Sequence, residues 1–235
     1  MKTSPGILSI KAVLISMLIF AVYIPFSGWI DLHISSLFYQ EGHFSTNPFF
    51  DWFFRHGIWP AWITLTAAFI GLALSFLKRR SDWRKPCLYL ILVLVIGSGL
   101  IIHAALKDHW GRPRPRQVIE FGGCQPFRQF YEPNFHLQPE PSKSFTCGHC
   151  SMGFYFFSVA FLGALYQIRS LYWLGMGLAW GLGGLLSLAR IAQGGHFFSD
   201  VLATCLIMWL TAWCLAYFMF MYNGRNHERI DTKAK

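Results

Sequence analysis

Six uncharged stretches, each close to the roughly 20 apolar residues that a helix needs to cross a bilayer, constrain this chain more than any other feature. They run from Ala12 to Ile30, Ile58 to Leu77, Cys87 to Leu106, Ser151 to Ile168, Leu171 to Ala189 and Val201 to Tyr222. None carries the polar stripe at a 3.6-residue period that marks a helix of a soluble protein. Only 13% of the 235 residues are charged, against about 25% in soluble domains, which excludes a soluble all-α protein. The fold class read from this pattern is all-α: a polytopic membrane bundle of six transmembrane helices, forming one membrane-embedded domain over 1–235. Lys2 and Lys11 precede the first stretch and no small-x-small cleavage site follows it, so it reads as an uncleaved signal anchor.

Lys and Arg accumulate in short cytoplasmic loops. Lys2, Lys11, Lys78, Arg79, Arg80, Arg84, Lys85, Arg169, Arg225, Arg229, Lys233 and Lys235 fall on one side, and eight other basic residues on the opposite side. Four of those eight (Lys107, Arg112, Arg114 and Arg190) cluster where an anion could bind and are set aside as functional. The remaining asymmetry places both termini in the cytoplasm. The net charge of +9 is thereby explained by membrane anchoring, and nucleic acid is excluded as a partner. The connection from Lys107 to Cys150 is long enough to expect a function for it.

Connections one, three and five open on the same leaflet, the outer one. At the span ends on that side stand Lys107, Arg112 and Arg114, then Cys147-Gly148-His149, then Arg190, and finally His196 with Asp200. Cations, histidines and a carboxylate at membrane depth are costly unless they form a site. Arg offers a planar fork and Lys a point charge to phosphate oxygens. Gly148 permits close backbone approach at a helix mouth whose free N–H groups favour an anion. His196 and Asp200, four residues apart, are expected to share a helix face, so that the carboxylate fixes the ring tautomer and leaves the other nitrogen free to attack. His149, from another helix, is placed to protonate a leaving oxygen. His33, His43, His56, His109, His136 and His227 read as interfacial side chains, His103 as a helix-to-helix hydrogen-bonding group, and Arg116, Arg128 and Lys143 as solvated.

Lys107 with Arg114-Pro115 seven residues on, Gly148-His149 at a helix mouth, and Arg190, His196 and Asp200 together resemble the three-part signature of the type 2 phosphatidic acid phosphatase superfamily. The resemblance implies a helical bundle with an outward phosphate pocket and a metal-independent reaction, needing no cofactor, through a phosphohistidine. It implies that Lys107, Arg114 and Arg190 hold phosphate, with Gly148 and Cys147 beside them, and that His149 is the acid, His196 the nucleophile and Asp200 its partner. Two positions depart from the pattern: Thr146-Cys147-Gly148-His149 stands for Pro-Ser-Gly-His, and Ala189 replaces a Ser. Phe121-Gly122-Gly123-Cys124 and the run Ser144 to Ser151 further resemble the bacterial lipid A phosphatases of that superfamily.

The expected function is hydrolysis of a membrane-lipid phosphate at the periplasmic face of the bacterial inner membrane, with lipid A favoured as substrate. Phosphatidylglycerophosphate, undecaprenyl pyrophosphate or phosphotransfer to a second lipid are alternatives that use the same residues. An anion transporter would need cations within the spans, and a metal hydrolase would set a divalent ion against three cations. Cys87, Cys205 and Cys214 read as small buried hydrophobes. In an oxidising periplasm Cys124 is expected to pair with Cys147 or Cys150, the alternative being three free thiols.

Overall fold

A computed structural model describes residues 9–135 and 142–222; His136, His227, Lys2 and the basic residues from Arg225 to Lys235 lie outside that part. Among the described residues six helical segments are long and apolar enough to span a membrane: Ile10–Ser36, Pro48–Leu77, Ser81–Lys107, Gly148–Leu165, Arg169–Ala192 and Phe198–Tyr222. Each covers most of its expected stretch, and the first three reach well beyond theirs. Helices are the natural solution here, because the hydrocarbon interior offers the backbone no other hydrogen-bonding partner.

The fourth span is the axis of the bundle, with 89% of its apolar window buried, against 17% for the first and second. It packs against the third, fifth and sixth spans, while the first two lie outside them. Without a hydrophobic drive between helices in lipid, close packing of small residues does this work. A Cβ on Gly153 would stand 2.4 Å from Gly183 Cα, and one on Gly175 would stand 2.7 Å from Ala160 Cα, so the fourth and fifth spans meet backbone to backbone. Tyr89 Oη donates to Ala212 O at 3.0 Å, and the hydroxyls of Ser98 and Ser151 lie 2.7 Å apart, joining the third span to the sixth and fourth.

Three irregularities shape the end of the bundle that carries the polar cluster. The first span turns through a 3-10 segment, Ile24–Phe26, at Pro25, whose ring disrupts a helix, before continuing as Ser27–Ser36. The second span begins with a separate short helix, Pro48–His56, capped by Asn47. The third ends as π-helix over Val93–Lys107, a form concentrated at functional positions. The long connection folds back over this end. Phe44, of the small hairpin formed by Tyr39–Gln40 and His43–Phe44, packs with Val118, Phe121 and Phe197 and so ties the connection to the turn before the sixth span.

Candidate active site

His196 lies in the turn between the fifth and sixth spans and is 1% exposed. Its Nδ1 is 2.5 Å from the backbone carbonyl of Ser144. A carbonyl can only accept, so Nδ1 carries the proton and Nε2 keeps its lone pair. Burial pushes the imidazole down to about 3, which keeps the ring neutral near neutral pH. Asp200 Oδ2 is 3.8 Å from Nδ1 and instead accepts from Ser144 Oγ at 2.6 Å and Phe197 N at 2.9 Å. The expectation that Asp200 takes the ring hydrogen bond directly is therefore corrected. The i,i+4 rule holds only within a helix, and the sixth begins at Phe198, after His196.

Arg112 requires a second correction. It is fully buried and behind His196, with four of its donors engaged: Nε to Arg128 O at 2.9 Å, Nη1 to Asp200 Oδ1 at 2.5 Å and to Ser199 Oγ at 2.8 Å, Nη2 to Asp31 Oδ2 at 2.8 Å. Burial alone would lower its pKa, but the carboxylates of Asp200 and Asp31 outweigh it and raise the guanidinium above its ordinary value. With four of its five N–H donors engaged, two carboxylates on its fork and no exposed surface, Arg112 is not placed to receive phosphate.

The other cations are differently placed. Among the described residues Lys107, Arg114 and Arg190 form no ion pair, and Nε of both Arg114 and Arg190 is buried without a protein partner. All three act electrostatically on His149, and Lys107 and Arg190 also act on His196. Burial, and then neighbouring Arg116, lower the pKa of Arg114, as expected for a cation awaiting a counter-charge. At the mouth of the fourth span, a Cβ on Gly148 would stand 2.4 Å from His103 Nε2 and 3.3 Å from Lys107 Nζ. Only glycine allows that approach. His103 thus reaches the site wall: its Nδ1, 2.7 Å from Ser98 O, donates, leaving Nε2 beside Gly148. The Phe54 ring stacks on His149 with centroids 4.4 Å apart and lies 4.6 Å from the Arg190 guanidinium carbon. Arg190 Nη1 also donates to Gln193 Oε1, which is held by Asp51.

Cys147 is bonded to Cys150, with Cα atoms 5.3 Å apart, and Cys124 is free and exposed. The expected bridge from Cys124 is corrected: the first helical turn brings positions three apart within disulfide reach. The backbone N–H of Cys147 donates to Thr204 Oγ1 at 3.0 Å, so neither its sulfur nor its amide is open to phosphate, and Gly148 alone represents this pair at the pocket. The residues that sequence reasoning missed are Asp31, Ser144, Ser199 and Phe54. Leaflet parity could have found Asp31 and Phe54, since both stand beside the first connection; nothing local singles out Ser144 or Ser199. Lys143 is solvated and paired with Asp108 at 2.7 Å.

The order Lys107, Arg114, Gly148, His149, Arg190, His196, Asp200 now has a shared location, and the sequence profile of the PAP2 superfamily matches residues 88–224. The chain belongs to the PAP2 superfamily. It is 33% identical over 175 residues to the lipid A 4'-phosphatase of Francisella tularensis subsp. novicida (strain U112), covering 73% of this chain and 75% of that protein. It is 26% identical over 137 residues to the lipid A 4'-phosphatase of Rhizobium leguminosarum, covering 58% and 54%. No solved structure matches it. As a multi-span membrane protein of the PAP2 superfamily, it carries its site at one end of the bundle, but the superfamily segment begins within the third span. Asp31 and Phe54 lie before it.

Proposed function

We propose that this protein is a lipid phosphatase that removes a phosphate from lipid A at the periplasmic face of the inner membrane, through a phosphohistidine and without a metal or cofactor. The observation that carries this reading is the set of unpaired cations, Lys107, Arg114 and Arg190, gathered about two histidines of which one is neutral with a defined tautomer. Two relatives named lipid A 4'-phosphatase favour that substrate. The basic residues on the other side of the membrane favour the periplasmic face, with both termini in the cytoplasm.

The three cations and the Gly148 helix mouth hold the phosphate dianion, and Nε2 of His196 attacks phosphorus. The bound dianion offsets the cations around His149 and allows its ring to be protonated; as the N–P bond forms, the P–O bond to the sugar breaks and His149 gives this proton to the departing oxygen. His149, now neutral, takes a proton from the water that attacks the phosphohistidine, releasing inorganic phosphate and restoring both rings. Phe54 covers the imidazole of His149 and the guanidinium of Arg190 and shields both from solvent. The whole chain acts as one unit, because the first two spans supply Asp31 and Phe54.

Acid and alkaline quenching of enzyme mixed with 4'-³²P-labelled lipid A tests this. A phosphoenzyme labile in acid, stable in base and absent from His196→Ala is expected, with inorganic phosphate as product. Near-normal turnover by His196→Ala would overturn the covalent mechanism; label recovered in a second lipid would make the enzyme a phosphotransferase.

A further inference from the structure

Asp31 comes from the first span and is fully buried. Its Oδ1 accepts from Ser199 N at 2.7 Å, and its Oδ2 from Ser199 Oγ at 2.5 Å and Arg112 Nη2 at 2.8 Å. The Arg112 guanidinium and the Ser199 amide can only donate, and the guanidinium 2.8 Å away favours the ionised carboxylate. Arg112 alone would neutralise Asp200, as a buried charge demands a partner. A second carboxylate on the same guanidinium does more: two carboxylates and one guanidinium leave the buried network with one net negative charge, its Asp200 carboxylate 3.8 Å from His196 Nδ1.

That location has a chemical use. Lys107 and Arg190, which act on His196, are matched by the incoming phosphate dianion. On the Nδ1 side the imidazole is neutral before attack and becomes cationic once Nε2 bonds to phosphorus, while Nδ1 keeps its hydrogen. A preorganised negative charge there stabilises what develops in the transition state and is of little consequence to the neutral ring of the ground state. We propose that Asp31 is a positioning residue whose charge makes the Asp31–Arg112–Asp200 network net negative and thereby stabilises His196 as it becomes phosphorylated. The inference rests on the phosphohistidine reading above, and it assigns to the first span a part in the chemistry.

Single-turnover phosphorylation by 4'-³²P-labelled lipid A in detergent micelles, with inhibition by orthovanadate measured in parallel, tests it. Asp31→Asn brings the network to zero charge and is expected to slow phosphoenzyme formation on the order of 10-fold to 100-fold, lowering kcat while leaving KM and orthovanadate inhibition unchanged. Adding Arg112→Met to Asp31→Asn restores the single negative charge, carried by Asp200, and the double variant is expected to phosphorylate faster than Asp31→Asn. A purely packing role predicts the opposite order. The assignment falls if Asp31→Asn phosphorylates at the wild-type rate, if the double variant is no faster than the single one, or if neither variant folds. Absence of any phosphoenzyme in the wild type would instead sink the phosphohistidine reading itself.

Discussion

Ser144 holds both His196 and Asp200: its carbonyl takes the Nδ1 hydrogen of His196 at 2.5 Å and its hydroxyl donates to Asp200 at 2.6 Å. Asp200 thus reaches the histidine largely through a residue of the long connection. Its carboxylate orients Ser144, whose carbonyl orients the ring, as outer partners commonly orient the groups that react.

Ser144→Ala keeps the carbonyl but removes the hydroxyl. A hydrogen bond to a charged group contributes about 1.5–3 kcal/mol, so turnover is expected to fall roughly 10-fold to 100-fold, with orthovanadate affinity preserved. Steady-state kinetics and inhibition on the same preparation check this; unchanged kcat would show that Asp200 orients His196 without Ser144.

Gly148→Ala puts a methyl group 2.4 Å from His103 Nε2 and 3.3 Å from Lys107 Nζ. His103 or the helix mouth must yield, with Lys107 Nζ pressed as well, and a displacement of about 1 Å in a positioned site can cost roughly 10²-fold. Both turnover and phosphate affinity are expected to drop while the melting temperature changes little. Wild-type orthovanadate inhibition in this variant would remove Gly148 from the proposed phosphate pocket.

His196 has a folded pKa of about 3 against an ordinary 6.5. Between those values the unfolded chain binds a proton that the folded chain refuses, so unfolding is favoured as pH falls. Its contribution to stability is complete above about 6.5, declines as pH drops toward about 3, and changes no further below that. Melting temperatures of wild type and His196→Asn, taken in detergent at about pH 7.5 and about pH 5, are expected to show a smaller acid loss in the variant. Equal losses would mean that the ring titrates normally.

Cys124 is exposed and free, and Cys147–Cys150 form a disulfide among the six cysteines. Denatured, unreduced enzyme is expected to titrate four thiols, the six less the bonded pair. Impermeant maleimide added to intact spheroplasts is expected to label wild type and not Cys124→Ser. Six thiols would remove the bridge, and protection of Cys124 until the membrane is opened would reverse the orientation.

Hydrophobic length alone determined the six spans, since burying an unpaired backbone in hydrocarbon is prohibitive and few folds avoid it. Spacing and leaflet parity determined that Lys107, Arg114, Gly148, His149, Arg190, His196 and Asp200 meet, because consecutive spans must alternate direction. Identity of charge, however, does not reveal its partner. Arg112 and Arg114 are two residues apart with the same side chain, yet one is paired with Asp31 and Asp200 and the other has no ion pair among the described residues. Only tertiary packing could decide this, since Asp31 is 81 residues from Arg112 in the chain. The same holds for Ser144 between His196 and Asp200, a contact made across 52 and 56 residues, and for Phe54 over His149. The cysteines went the other way: a bridge across the long connection was expected, but the geometry of one helical turn at Cys147 and Cys150 prevailed.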